Sequence, residues 1–227
     1  MKHQWICKHT EGARRVLLFF NGWGQDSRAV ARLSCPQDTD VVMFYAYHSE
    51  GDFDFSSLAG YPQCEVAAWS MGVWYASRLK ALQDVQPTRT VALCGTPWPI
   101  DDRYGIPRAV FDATLAGLSP RSVEKFVVRM EGGVAAYRQS PLSQPGSRSF
   151  EDVRSELEWW HRACLSQGEA PLILGWQKAL VGLSDAIFPP ENQLRAWQRA
   201  GVQPCSQAQL PHDPFSSFGS WDQVFDF

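Results

Sequence analysis

The chain has 227 residues, of which 44% are hydrophobic, and its 21 basic and 24 acidic residues leave a net charge of −3. A chain of this size can bury a large core, so the composition predicts one soluble globular domain. The small negative charge gives no reason to expect nucleic acid as a general partner. The amino-terminal residues contain no apolar signal segment, and no long uninterrupted apolar run occurs, so we expect neither secretion nor a membrane span.

Cysteine and tryptophan content bear on compartment and ligand. The six cysteines are dispersed and form no Cys-x-x-Cys pair, so we expect reduced thiols in a cytoplasm. Ten tryptophans are many for a chain of this length. Broad aromatic walls are typical of an apolar ligand pocket, and an aromatic-rich core is the alternative.

Five short apolar runs, each closed by small or polar residues, predict strands that are buried on both faces. They span residues 16–20, 41–45, 66–69, 91–94 and 179–183. Helical patterns follow the first and third runs at residues 27–33 and 71–82. Continuous apolar strands that alternate with helices are typical of a parallel sheet covered on both sides. The predicted fold class is therefore α/β, with an open twisted sheet whose ligands bind at the carboxyl ends of its strands.

About 80 residues between the fourth and fifth runs do not continue this pattern. Helical stretches at residues 108–118, 122–130 and 150–165 are separated by a Leu-Ser-Pro break and by a proline-containing loop at residues 140–149. We therefore predict one domain over residues 1–227, with a helical cap inserted at residues 97–170. Residues 171–174 fit either a strand or the last piece of the cap.

Ser70 lies in the segment Ala68-Trp69-Ser70-Met71-Gly72, where a predicted buried strand meets an amphipathic helix. A nucleophilic serine on a sharp strand-to-helix turn needs small residues two positions before and two positions after it. Ala68 and Gly72 meet that need, although glycine is more usual at the first position. The alternative is a serine that caps the helix and has no chemical role.

A glycine-bearing loop, Asn21-Gly22-Trp23-Gly24, follows the first predicted strand and should lie beside the end of the serine strand. Acyl transfer needs two N–H donors aimed at the developing oxyanion, one from such a loop and one from the residue after the nucleophile. The candidate donors are the backbone amides of Trp23 and Met71. A plain glycine turn is the alternative, because Asn21 stands where many hydrolases have histidine.

An acid and a histidine follow Ser70 in the chain order that α/β hydrolases use. Asp185 comes just beyond the fifth predicted strand, and His212 lies 27 residues later in a proline-flanked loop. A carboxylate in this place holds the tautomer of the histidine, which takes the serine proton. Asp185 could instead cap the helix after it. Asp213 is a weaker candidate for the acid, because neighbours on an extended segment point apart.

Five segments together resemble the BioG-type pimeloyl-ACP methyl ester esterases of biotin synthesis, where ACP is acyl carrier protein. The segments are residues 19–24, 68–74, 95–97 with 104–107, 185–193 and 212–215, so the resemblance extends over nearly the whole chain. It implies an α/β-hydrolase fold with a helical cap, and hydrolysis of pimeloyl-ACP methyl ester to pimeloyl-ACP and methanol. By the same resemblance, Ser70 is the nucleophile, Asp185 orients the general base His212, and the amides of Trp23 and Met71 stabilise the oxyanion.

The chemistry expected of these residues is a two-step acyl transfer that requires no metal and no organic cofactor. The expected partner is the acyl carrier protein, with no nucleic acid and no membrane, and the protein itself is expected to be a monomer. Residues 103–148 hold seven basic and three acidic residues, and this excess of positive charge favours steering toward an anionic partner. Arg121, Lys125 and Arg129 are the candidate carrier contacts, and Trp23 is a candidate substrate contact. An ordinary solvated helix face is the alternative.

Two other functions fit the same residues. A small capped carboxylesterase or thioesterase would use an identical triad on a free acyl substrate. The second is a hydrolase-fold protein that binds an acyl group or a carrier without turnover. The presence of Ser70, Asp185 and His212 argues against the non-catalytic alternative.

Overall fold

The computed structural model describes residues 1–9, 12–167 and 170–227. Its centre is a sheet of seven strands in the described ranges: β1 (Lys2–Cys7), β2 (Arg15–Phe20), β3 (Thr39–Tyr45), β4 (Gln63–Trp69), β5 (Arg89–Leu93), β6 (Lys178–Gly182) and β7 (Cys205–Gln207). The spatial order is β1-β3-β2-β4-β5-β6-β7. β1 pairs antiparallel with β3, and the strand pairs from β3 to β7 are parallel. The predicted α/β class with a mostly parallel sheet is confirmed.

Helices cover the sheet and fill the long segment between β5 and β6. Those of the described residues are α1 (Met71–Arg78), α2 (Ala81–Val85), α3 (Arg108–Ala116), α4 (Pro120–Met130), α5 (Val134–Gln139), α6 (Phe150–Gln167), α7 (Pro190–Arg199) and α8 (Trp221–Asp226). None of them is long and apolar enough to cross a membrane. α3 to α6 lie within the predicted cap segment. The cap boundaries of 97 and 170 stay a prediction, and residues 168 and 169 fall outside the described residues.

Two helical predictions need correction. The predicted helix at residues 27–33 is a single 3-10 turn over Ser27–Val30. The predicted helix at residues 71–82 is two helices, because the carbonyl of Ser77 accepts hydrogen bonds from the amides of Ile173 (2.7 Å) and Leu174 (3.3 Å). Residues 171–174 therefore form no strand and instead cross the end of α1.

The edge strands β1 and β7 were not predicted, because neither has a continuous apolar run. The residues of β1 and β7 are all exposed or half-buried. The inner strands differ sharply, since β2 to β6 are buried along almost their whole length. The tryptophans divide between the two predicted uses: Trp160 and Trp197 are in the core, whereas Trp23 lines a pocket at the carboxyl edge of the sheet.

The carboxyl edge of the parallel strands gathers the candidate residues. Ser70 follows β4, the Asn21-Gly22-Trp23-Gly24 loop follows β2, Asp185 follows β6, and His212 follows β7. Because parallel strands all end at the same edge of a sheet, residues that are far apart in the chain become neighbours there.

Candidate active site

Ser70 occupies a strained turn between β4 and α1. Its backbone has φ +58° and ψ −126°, a conformation that residues other than glycine rarely adopt. Such strain is tolerated only where the surrounding structure holds it, and its amide donates to the carbonyl of Leu93 at 3.0 Å. Gly72 permits the turn, since a Cβ there would approach the carbonyl oxygen of Phe20 to 2.3 Å. The turn aims the Ser70 side chain into a pocket above the sheet.

Ser70, His212 and Asp185 form a continuous hydrogen-bonded series. His212 Nε2 lies 2.9 Å from Ser70 Oγ, and His212 Nδ1 lies 2.9 Å from Asp185 Oδ2. All three side chains are buried, with His212 1% exposed. With Nδ1 donating to the carboxylate, Nε2 is left as the acceptor for the serine proton.

The Asp185 carboxylate is held by several donors besides His212. Its Oδ1 accepts from the amides of Ile187 (2.8 Å) and Phe188 (2.9 Å), and its Oδ2 also accepts from Gln193 Nε2 (2.9 Å). The Phe188 ring lies parallel to the imidazole of His212, with centroids 5.7 Å apart. Gln193 was not singled out from the sequence, because an amide on a helix has no chemical signature of its own until its neighbour is known.

Asp213, the weaker candidate for the acid, faces away from the imidazole. Its Oδ1 accepts from the amide of Phe215 (2.8 Å), and its own amide donates to the carbonyl of Met130 (3.0 Å) at the end of α4. Burial first, and the nearby carboxyl of Glu131 second, raise the pKa of Asp213 well above its ordinary value. The imidazole pairs with Asp185 Oδ2, and the Asp213 carboxyl is turned to other groups, so the geometry favours Asp185 as the acid that stabilises an imidazolium.

In the loop after β2, the backbone amides on either side of Trp23 both donate hydrogen bonds to side chains. The amide of Gly22 donates to Asn21 Oδ1 (2.8 Å), and the amide of Gly24 donates to Glu156 Oε2 (2.9 Å). The amides of Trp23 and Met71 have no acceptor among the residues that the structure describes. Both residues line the same pocket as Ser70. Asn21 thus holds the loop with its side chain, which accounts for an asparagine at this position.

The pocket over Ser70 has apolar walls and a cationic mouth. Trp23 and Phe126 meet edge to face at 4.9 Å on one side. The remaining apolar wall comes from α3, α4, α6 and the loop after Asp185: Ile106, Val110, Phe111, Met130, Leu157, Ile187 and Phe188. Arg129 also lines the pocket.

The candidate carrier contacts lie on one exposed helix. Arg121, Lys125 and Arg129 are exposed on α4. The structure corrects one part of the basic stretch: the Arg148 side chain is only 4% exposed and pairs with the buried Glu156, so its charge does not belong to that surface.

The sheet topology and the residues at its carboxyl edge define an α/β hydrolase. A hydrolase from Oleispira antarctica has the same fold, with a TM-score of 0.60 and 13% sequence identity over 95% of this chain and 89% of that chain.

The model of the protein family described as "Pimeloyl-ACP methyl esterase BioG" matches residues 1–224, and the chain belongs to this family. The crystal structure of selenomethionine BioG from Haemophilus influenzae matches with a TM-score of 0.88 and 31% identity over 100% of both chains. A Bacteroides fragilis protein named malonyl-[acyl-carrier protein] O-methyltransferase is 39% identical over 186 residues, which are 82% of this chain and 37% of that protein. This chain thus spans well under half the length of that relative.

Proposed function

We propose that this protein hydrolyses the methyl ester of pimeloyl-ACP methyl ester, releasing pimeloyl-ACP and methanol, with Ser70 as the nucleophile. The observation that carries the proposal is the series from Ser70 Oγ to His212 Nε2 and from His212 Nδ1 to Asp185 Oδ2, each link 2.9 Å long, at the base of an apolar pocket. Membership of the BioG family supports the choice of ester.

The reaction follows from the positions of these atoms. His212 Nε2 takes the proton of Ser70 as Oγ attacks the ester carbonyl, and the amides of Trp23 and Met71 donate to the oxyanion that forms. The imidazolium, stabilised by Asp185, then gives its proton to the departing methoxide. In the second step His212 takes a proton from water, the resulting hydroxide attacks the acyl-enzyme, and Ser70 recovers its proton through His212.

The pocket chemistry supports a long acyl chain with a neutral reacting end. Its walls are made of aliphatic and aromatic side chains that suit a row of methylene groups. The cationic Arg129 lines the pocket from an exposed position on α4. A neutral methyl ester enters such an apolar slot at lower desolvation cost than a free carboxylate, because a charged group loses more hydration free energy.

Helix α4 supports a carrier as the rest of the substrate. Arg121, Lys125 and Arg129 are spaced four residues apart, so they share one face of α4, and Arg129 reaches the pocket. A row of exposed cations beside the opening suits an acidic carrier protein through long-range attraction. The Bacteroides relative supports the same substrate class, because an enzyme that methylates malonyl-ACP makes a carrier-bound methyl ester.

The test is turnover of pimeloyl-ACP methyl ester by the purified protein, compared with the same methyl ester without its carrier. We expect hydrolysis of both, with the larger kcat/KM for the carrier-bound ester. Ser70→Ala and His212→Ala should each lower kcat by about 10⁴-fold or more, and the double variant should lose little further because the two residues act as a unit.

Three results would count against the proposal. Equal kcat/KM for the two esters would favour a general carboxylesterase. Preference for a thioester would favour a thioesterase. Failure of a fluorophosphonate probe to label Ser70 would favour a protein that binds without turnover.

A further inference from the structure

Glu156 is a fully buried acidic residue on α6 that the proposed reaction does not use. Its side chain is 0% exposed, and both carboxylate oxygens are occupied. Oε2 accepts from the amide of Gly24 (2.9 Å) and from Arg148 Nη1 (2.6 Å), while Oε1 accepts from the amide of Tyr47 (3.0 Å). Burial of a carboxylate costs free energy unless the group is paired and hydrogen-bonded, and these three donors offset that cost.

The first oxygen of Glu156 holds the loop that presents the Trp23 amide. Gly24 follows Trp23 directly, with φ +73°, and a Cβ on Gly24 would lie 3.2 Å from Val153 Cγ1. One turn of α6 before Glu156, the carbonyl of Val153 accepts from Trp23 Nε1 at 2.9 Å. Helix α6 therefore accepts hydrogen bonds from two consecutive residues of this loop: from the side chain of Trp23 and from the backbone amide of Gly24.

The second oxygen of Glu156 holds the neighbouring loop after β3. This oxygen accepts a hydrogen bond from the amide of Tyr47. The hydroxyl of Tyr47 in turn donates a hydrogen bond to the carbonyl of Asn21 at 2.7 Å. Asn21 begins the Trp23 loop. One carboxylate thus fastens the loop near both of its ends, directly at Gly24 and through Tyr47 at Asn21.

Arg148 forms an ion pair with this carboxylate. Its guanidinium binds Glu156 through Nη1 and donates from Nε to Asp152 Oδ2 at 2.7 Å. Burial by itself disfavours a charged guanidinium, but the charges of Glu156 and Asp152 outweigh it and raise the pKa of Arg148 above its ordinary value. Hydrogen bonds to a charged acceptor are roughly twice as strong as neutral ones, so the amides of Gly24 and Tyr47 are held firmly.

We propose that Glu156, paired with Arg148, is a positioning residue that holds the Trp23 amide in the oxyanion site. The inference rests on the proposed function, because it assigns Glu156 an effect on the transition state of that ester hydrolysis. Donors that are fixed in advance stabilise an oxyanion without reorganisation, so a loop that can rotate its peptide planes loses part of that effect. Substrate in the ground state has no full charge at this position and should bind nearly as before.

The test replaces the ion pair as a unit with unbranched apolar side chains, as Arg148→Met/Glu156→Met. Removing both charges together leaves neither Arg148 nor Glu156 as a buried unpaired ion, and such replacements are often neutral or stabilising. Asp152, which loses Arg148, has a side chain that is 24% exposed and lies 3.2 Å from His48 Nε2. Arg154→Met/Glu158→Met is the matched control, because it makes the same two substitutions in an exposed ion pair. Arg154 and Glu158 both lie on α6, with 3.1 Å between Nε and Oε1, and their side chains are 52% and 39% exposed. The substrate is a p-nitrophenyl ester, which needs no carrier, and thermal unfolding of each variant is measured alongside.

We expect the Arg148→Met/Glu156→Met variant to lose about 10- to 100-fold in kcat, less than complete loss of one oxyanion donor, with KM within about twofold. The control should match the parent protein. In the ¹⁵N–¹H spectrum, the Gly24 amide proton should move upfield, because it loses a charged acceptor. If the double variant does not fold, Glu156→Gln keeps the volume and one acceptor, and kcat should then fall about threefold to tenfold.

Each contrary outcome has a distinct meaning. An unchanged kcat in a folded variant would overturn the positioning role and leave the proposed hydrolase function standing. A rise in KM with kcat unchanged would mean that Glu156 shapes the pocket only, and would also overturn it. A parent protein that turns over no ester would overturn the proposed function, and the positioning role would fall with it.

Discussion

Asp185 and Asp213 are two buried carboxyl groups near the same histidine, and their hydrogen-bond partners differ. Asp185 accepts hydrogen bonds from two backbone amides, from Gln193 and from His212. Asp213 has the amide of Phe215 but faces Glu131, so burial and like charge raise its pKa.

Asp213→Asn should therefore leave catalysis nearly intact and change the pH dependence of stability. Because the pKa of Asp213 is raised in the folded protein, the folded state keeps a proton that the unfolded chain loses above about pH 4. The stabilisation from that proton is full below this pH and is lost as pH rises through the folded pKa, at up to about 1.4 kcal/mol per pH unit. Asparagine does not titrate. The free energy of unfolding is measured with urea at pH 5 and at pH 8. Relative to the parent protein, the variant should be more stable at pH 8 than at pH 5.

Asp185→Asn is the matched comparison for this substitution. It leaves Ile187 and Phe188 an acceptor oxygen but presents the wrong group to His212 Nδ1, so kcat should fall by up to about 10⁴-fold. If Asp213→Asn proved the more damaging of the two for kcat, the assignment of the acid would be wrong.

Helix α4 connects an exposed charged face to the loop that holds Trp23. Arg121 and Lys125 are exposed on it, and Phe126 packs on Trp23. At its end, the carbonyl of Met130 accepts from the amide of Asp213, next to His212. A carrier that docks on α4 would thus lie against the element that shapes the pocket.

Reversal of the exposed charges, as Arg121→Glu/Lys125→Glu, should lower kcat/KM for the carrier-bound methyl ester by about tenfold, mainly through slower association. Added salt should shrink the difference, because surface charges act through a screened field. Activity on a small soluble ester should hardly change. Steady-state kinetics at two salt concentrations measure both effects.

Lys8→Glu/Lys80→Glu is the control for net charge. Both lysines are exposed and outside α4, and their reversal changes the total charge by the same amount. A loss in this control equal to that of the α4 variant would mean that overall charge, and not the α4 face, attracts the carrier. Equal losses on both substrates in the α4 variant would mean that these residues shape the pocket.

At the scale of the whole molecule, an aromatic cluster joins α6 to the sheet. Trp160 of α6 is 0% exposed and packs against Tyr47 (5.0 Å) and Trp74 of α1 (5.4 Å) between ring centroids. Tyr47 follows β3, so the cluster connects three elements. This shared packing favours the predicted single domain, in which the helices between β5 and β6 unfold together with the sheet.

Trp160→Ala should lower the free energy of unfolding by about 3–5 kcal/mol and reduce Tm by about 10 °C, within one cooperative transition. Circular dichroism and tryptophan fluorescence should report the same midpoint. Trp160→Phe is the control. It keeps an aromatic ring and removes an indole N–H that has no partner in the described part of the chain, so its cost should be much smaller. Two separate transitions would contradict the single-domain prediction.

Features that depend on local pattern could be predicted from the amino-acid sequence. The buried runs predicted β2 to β6, because a strand covered on both faces must be apolar at every position. The small residues around Ser70 indicated a tight strand-to-helix turn, and the chain order of Ser70, Asp185 and His212 indicated the candidate triad before any distance was known. The helix predicted at residues 27–33 is a 3-10 turn. The helix predicted at residues 71–82 is interrupted where the Ser77 carbonyl accepts hydrogen bonds from Ile173 and Leu174, which no periodicity reveals.

Which polar groups contact one another depends on tertiary packing and could not be predicted from the sequence. Gln193 and Glu156 look like ordinary helix residues in the sequence, and Arg148 looks like part of a basic surface. The contact between Gly24 and Glu156 joins residues 132 positions apart. Such pairings depend on how α6 packs on the loops at the carboxyl edge of the sheet. The free energy of that packing is spread over many side chains, so no local pattern in the sequence encodes it.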